Sequence, residues 1–206
     1  MKSFNELMEL TRTVNCEGVY SDLALSGLYG AAVSSPNVGN FVEIGCEYGR
    51  STSLIAQIAK ERHQYLVCID PFVRHLSGEP GENVGSHTFG MLCKIDLNFA
   101  FLRGKSYEVP YEFGPIAFLH IDGNHSRPFI WSDFQRYAHL VVDGGHVAFH
   151  DYGDPGPYCV DVKQYVDEIL AIHPERWTSV GLYDTCMVIK KRGAYENYYS
   201  PEGGRP

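Results

Sequence analysis

Five times along this chain, a short apolar run stops abruptly at glycine or at a charged or ring-nitrogen side chain. The runs end at Glu43-Ile44-Gly45, Asp70, Arg103-Gly104-Lys105, Asp122 and His150-Asp151. Helical periodicity follows most of them. Strands that are apolar on both faces and alternate with helices indicate a parallel sheet covered on both sides. The polar residues then share one edge, at the carboxyl ends of the strands, where such sheets bind ligands.

The remaining pattern fills in the order of elements. Ser3 and Glu6 form a capping box ahead of a helix over 3–14, and a second helix covers 21–33. Strands are expected at 41–44, 65–69, 99–102, 116–121 and 147–149, with a closing pair at 177–182 and 185–190. Helices are expected over 50–62, 87–98, 129–140 and 157–172, and Asp143-Gly144-Gly145 reads as a turn. The stretch 73–98 is broken by Gly78, Pro80, Gly81 and Gly85, and 191–206 reads as a tail rich in Gly, Pro and Tyr.

At 206 residues there is room for one domain with a small elaboration. The division is a helical cap over 1–34, a core over 35–190 and a tail from 191. The net charge of −8 disfavours nucleic acid as a partner. No apolar stretch is long enough to span a membrane. The start lacks a signal-peptide pattern, and the six cysteines form no CxxC pair, so free thiols and a cytoplasmic setting are expected.

The segment from Glu43 to Ser51 lies at a strand-to-helix junction. Gly45 permits a tight turn, and Gly49 permits close approach to the helix start. Free N–H groups there, with the Ser51 hydroxyl, can donate to a polar or anionic ligand. Glu47 stands where a dinucleotide fingerprint requires glycine, and no Gly-Lys-Ser/Thr follows. Asp70 ends the next strand, 25 residues after Gly45, a placement suited to ribose hydroxyls. Loop and acid together suggest an adenosine-containing ligand without a diphosphate. Ser51 as a helix cap is the alternative.

These residues, with Ile69-Asp70-Pro71, resemble motifs I and II of the class I S-adenosylmethionine-dependent methyltransferases. Ile121-Asp122-Gly123-Asn124-His125-Ser126, Asp143-Gly144-Gly145 and Phe149-His150-Asp151-Tyr152 resemble segments of its small-molecule, catechol O-methyltransferase-like group. The resemblance spans about residues 15–190. It implies a Rossmann-like, doubly wound α/β sheet of seven strands, mostly parallel, with one antiparallel strand near the C-terminus. S-adenosylmethionine is the implied cofactor. Glu43, Gly45, Gly49 and Ser51 would face its methionine end, Asp70 its ribose and Ser106 its adenine, with Asp122 beside it. Asp122, His150 and Asp151 fall on the group's three metal-ligand positions, implying a divalent ion such as magnesium or manganese. His150 departs from the oxygen ligand usual there. His125 falls on the place of a lysine general base, and its ordinary pKa suits proton acceptance near neutrality; His150 is the second choice.

The implied reaction is methylation of a small hydroxylated molecule, with a homodimer as the expected assembly. An NAD-dependent enzyme, or a non-catalytic nucleotide-binding protein of the same fold, is the alternative. His120, inside an apolar strand, and His139 read as structural.

Overall fold

The structure is a computed structural model that describes residues 1–13, 20–72, 90, 92–93, 97–110, 114–157 and 159–193. Most of the expected 87–98 helix, and the tail beyond residue 193 with Tyr195, Tyr198 and Tyr199, lie outside the described residues.

The chain opens with α1 (Phe4–Thr13), whose capping box forms as expected: Ser3 N–H donates to Glu6 at 2.8 Å. Next come α2 (Asp22–Ser34), β1 (Asn40–Ile44), α3 (Arg50–Glu61), β2 (Leu66–Asp70), β3 (Phe99–Arg103) and β4 (Ile116–Ile121). α4 (Arg127–Tyr137), β5 (Val141–Phe149), α5 (Val160–Ile172), β6 (Trp177–Tyr183) and β7 (Cys186–Lys191) complete it. The strands form one seven-stranded sheet in the order β3-β2-β1-β4-β5-β7-β6. β1 to β5 pair in parallel, and β7 runs antiparallel to both β5 and β6. The expected sheet, with its single reversed strand, is therefore present.

Alternation along each strand divides the interior into two cores. Phe41 and Phe118 face one side and meet Leu7, Leu25, Leu28 and Leu54 from α1, α2 and α3. Val42, Leu119 and Phe149 face the other and meet Phe134, Tyr165 and Ile169 from α4 and α5. The N-terminal helices, expected as a cap, lie in the sheet-covering layer with α3. No helix among the described residues is long and apolar enough to cross a membrane. The described cysteines are free, with Cys46, Cys68, Cys159 and Cys186 buried.

Two expectations need correction. Asp143-Gly144-Gly145 is an interruption inside β5 rather than a turn before it. β4 residue Ile116 pairs with Val141 and Phe118 with His146, so β5 carries extra residues here. Gly144 absorbs them at φ 79°, in the left-handed region that glycine tolerates. The helix expected from residue 129 starts at Arg127, because Pro128 fits a first helical turn where no N–H partner is needed.

The strand order reverses between β1 and β4. Their carboxyl ends thus border a crevice at the topological switch point, and the polar residues noted in the sequence collect there.

Candidate active site

Gly45 ends β1 at φ 85°, with its N–H donating to Ile69 O at 2.9 Å. A Cβ on this residue would lie 2.0 Å from the Asp122 carbonyl oxygen. Only glycine lets the loop pass this close, and the contact places the loop directly against the end of β4. Gly49, at φ 85°, occupies the N-cap of α3. Ser51 is therefore not the cap; it lies buried in the first turn.

Asp70 binds the loop from β2. One carboxylate oxygen accepts from Cys46 N–H at 2.7 Å and Glu47 N–H at 3.0 Å, and the other from Phe72 N–H at 2.5 Å. The carboxylate thus fixes the loop's shape, a task the sequence reading did not foresee. Its remaining lone pairs leave capacity for further donors. Ser106 donates to the buried Asp133 of α4. Burial raises the Asp133 carboxyl to about 7, with the Ser106 hydrogen bond opposing the shift.

Asp122, His125, His150 and Asp151 do meet. His150 Nδ1 lies 3.3 Å from Asp122 Oδ1 and 3.1 Å from Asp151 Oδ2. His125 Nε2 is 2.9 Å from the same Asp151 oxygen and 4.0 Å from Asp122 Oδ1. Asp151 sits at φ 60°, an uncommon backbone state for a residue other than glycine, which aspartate tolerates better than most. Burial alone would depress the His150 pKa, but Asp122 and Asp151 outweigh it and hold the imidazole up to about 10. The Asp151 carboxyl is held well below the carboxylate range: burial opposes this, and His125 and His150 prevail. Asp151 also raises His125, by a hydrogen bond that outweighs burial.

Three further side chains join the cluster that sequence reasoning did not place there. Tyr20, just before α2, donates to Asp122 Oδ2 at 2.5 Å and stacks on His150 with centroids 4.0 Å apart. Its hydroxyl also lies 3.0 Å from Nε2 of the fully buried His120, whose Nδ1 is 3.0 Å from Glu43 Oε1. Thr185 Oγ1 is 3.1 Å from His150 Nε2. Cys159 Sγ is 3.5 Å from His125 Nδ1. A polar chain thus runs from Glu43, on the strand that leads into the glycine loop, to the Asp/His cluster. A signal for part of it existed: Glu43 and His120 are ionisable residues in otherwise apolar strands, two positions beyond Phe41 and Phe118 on one face, and they pair in register.

The donor chemistry fits a divalent ion. Asp122, His150 and Asp151 offer ligand atoms within 4.8 Å of one another, and so does the overlapping set His125, Asp151 and Cys159. The sheet order, the glycine loop and this cluster can be set beside known proteins. A methyltransferase-domain family matches residues 42–152, just over half of the chain. The chain belongs to this methyltransferase-domain family. The matched span of the methyltransferase domain holds the glycine loop, Asp70 and the whole Asp/His cluster, which favours it over the dinucleotide alternative.

Among curated relatives, uncharacterized protein R132 of Acanthamoeba polyphaga mimivirus is 31% identical over 123 residues. That covers 55% of this chain and 52% of R132, so the methyltransferase chain spans about half the length of this relative. Among solved structures, the O-methyltransferase NovP aligns over 93% of this chain and 98% of its own, at 16% identity and TM-score 0.68. An O-methyltransferase from Bacillus cereus, solved with S-adenosylhomocysteine, aligns over 93% and 92% at 16% identity and TM-score 0.62. TomG from Streptomyces achromogenes, solved with S-adenosylmethionine, aligns over 94% and 92% at 16% identity and TM-score 0.62. At these identities the likeness is one of fold.

Proposed function

We propose that this methyltransferase domain transfers the methyl group of S-adenosylmethionine to a hydroxyl oxygen of a small molecule. The observation that carries this reading is the contact of Gly45 with the end of β4. It sets the glycine loop against Asp122, so a cofactor on the loop and an acceptor at the Asp/His cluster would be neighbours. The O-methyltransferases among the structural neighbours support oxygen as the acceptor atom. The net charge of −8 supports a small molecule rather than nucleic acid.

In this reading, Glu43, Gly45, Gly49 and Ser51 line the methionine end, Asp70 takes the ribose hydroxyls and Ser106 borders the adenine. The sulfonium already activates its methyl carbon, so the chain's main task is alignment of acceptor oxygen, carbon and sulfur. The His125 imidazole takes the acceptor's hydroxyl proton, and Asp151, 2.9 Å from Nε2, stabilises the imidazolium that results. Asp122, His150 and Asp151 would hold a divalent ion. When bound, the ion lowers the acceptor hydroxyl's pKa and offsets the carboxylates that keep His125 protonated.

A thermal-shift comparison of S-adenosylhomocysteine with NAD tests the cofactor. Turnover of S-adenosylmethionine with a panel of hydroxylated acceptors, for wild type and His125→Gln, tests the chemistry. Stabilisation by NAD alone would sink the reading. Equal turnover by the two proteins would remove His125 from proton transfer.

A further inference from the structure

We infer that the Asp122/His150/Asp151 site binds a borderline transition ion, such as zinc, cobalt or ferrous iron, in preference to magnesium. The inference rests on the proposed metal position and deepens it. Magnesium is a hard ion that favours oxygen ligands in octahedral geometry, whereas imidazole suits the borderline first-row ions. Here the central donor is a nitrogen. Nδ1 of His150 faces both carboxylates, 3.3 Å from Asp122 Oδ1 and 3.1 Å from Asp151 Oδ2. Ligands about 2.1 Å from a shared ion stand roughly 3.0–3.4 Å apart, so the nitrogen's spacing to each carboxylate matches that of two ligands on one ion.

A second observation concerns the atoms that face away. A ligating imidazole is normally held through its other ring nitrogen, and a ligating carboxylate through its other oxygen. His150 Nε2 lies 3.1 Å from Thr185 Oγ1, and Asp122 Oδ2 accepts from Tyr20 at 2.5 Å. The Tyr20 ring also stacks on the imidazole, at 4.0 Å between centroids. His150 is 4% exposed and held on two sides, so it cannot swing away to leave an all-oxygen site. The outer partners come from the segment before α2 and from the β6–β7 turn, so both ends of the chain fix this imidazole.

The test uses the full chain, stripped of metal by chelator dialysis and titrated separately with cobalt and magnesium chlorides by calorimetry. Cobalt absorption reports nitrogen ligation. The expected result is one cobalt equivalent per chain, bound at least tenfold more tightly than magnesium. His150→Asp should weaken cobalt at least tenfold and bring magnesium to within about threefold of it. Thr185→Val keeps the imidazole and loses only its outer partner, so it is the second variant should His150→Asp fail to fold; it should weaken cobalt roughly tenfold. Magnesium binding as tightly as cobalt to the wild type would overturn the inference, as would cobalt affinity unchanged by both substitutions. S-adenosylhomocysteine stabilisation is measured on the same samples. If it persists while no transition ion binds, only the metal inference fails; if it is absent, the cofactor reading fails.

Discussion

Replacing Gly45 by alanine should damage both stability and cofactor binding. Two penalties combine. The residue sits at φ 85°, which costs an L-residue about 1–2 kcal/mol. The new Cβ would also lie 2.0 Å from Asp122 O and 2.5 Å from its carbonyl carbon. Both obstacles are backbone, so relief requires the ends of β1 and β4 to part by about 1.4 Å to reach ordinary contact. That movement is opposed where it is needed. Asp122 N–H donates to Ile44 O at 2.8 Å, and Gly45 N–H to Ile69 O at 2.9 Å. Overpacking of this kind costs about 1–3 kcal/mol, so the total is about 2–5 kcal/mol. For a chain of this size that lowers Tm by roughly 10 °C. Urea unfolding and calorimetric titration with S-adenosylhomocysteine read the two effects, with affinity expected to fall at least tenfold. Gly30→Ala in α2 is the control, since a Cβ there meets nothing within 4 Å; it should be neutral or slightly stabilising. A Gly45→Ala protein within about 0.5 kcal/mol of wild type, with unchanged affinity, would refute the close-approach argument.

Three other outcomes follow from the buried polar groups. Asp133, raised to about 7 in the folded chain, binds a proton there more tightly than when unfolded, so its cost to stability grows from about pH 4 and levels off above about pH 7. Asp133→Asn should therefore stabilise the protein by about 2 kcal/mol more at pH 8 than at pH 5, read by urea midpoints; a gain independent of pH would contradict this. His146 is buried and lowered to about 4 by that burial, so its contribution is complete above about pH 6.5 and is lost as pH falls through 4. His146→Gln should flatten the acid limb of the stability profile. Tyr20→Phe removes the donor to Asp122 and should cost about 1–3 kcal/mol; denaturation at the wild-type midpoint would show that this hydrogen bond carries no net weight.

Much of the site was legible because strand ends are local features. An apolar run that stops at Asp70, Asp122 or His150 announces both the strand and the polar residue that stands at its tip. The Gly144 interruption was misread as a turn, since glycine pairs mark turns and bulges alike, and only strand pairing separates them. Asp133 escaped notice on a helix, because nothing local says that Ser106, on a loop 27 residues earlier, would come to lie against it.

Sequence alone determined the order of strands and helices, the shared polar edge, the glycine loop and the Asp/His residues at the strand ends. Periodicity and turn chemistry act over a few residues, and they suffice for those features. Only the tertiary structure decided that Tyr20 reaches Asp122 across 102 positions, that Thr185 holds His150, and that Asp70 ties down the loop. A helix pattern states which face is buried but not against what. Where α2 docks on the sheet, and how the β6–β7 turn closes over β5, depend on packing between distant segments. That packing completes the surroundings of His150.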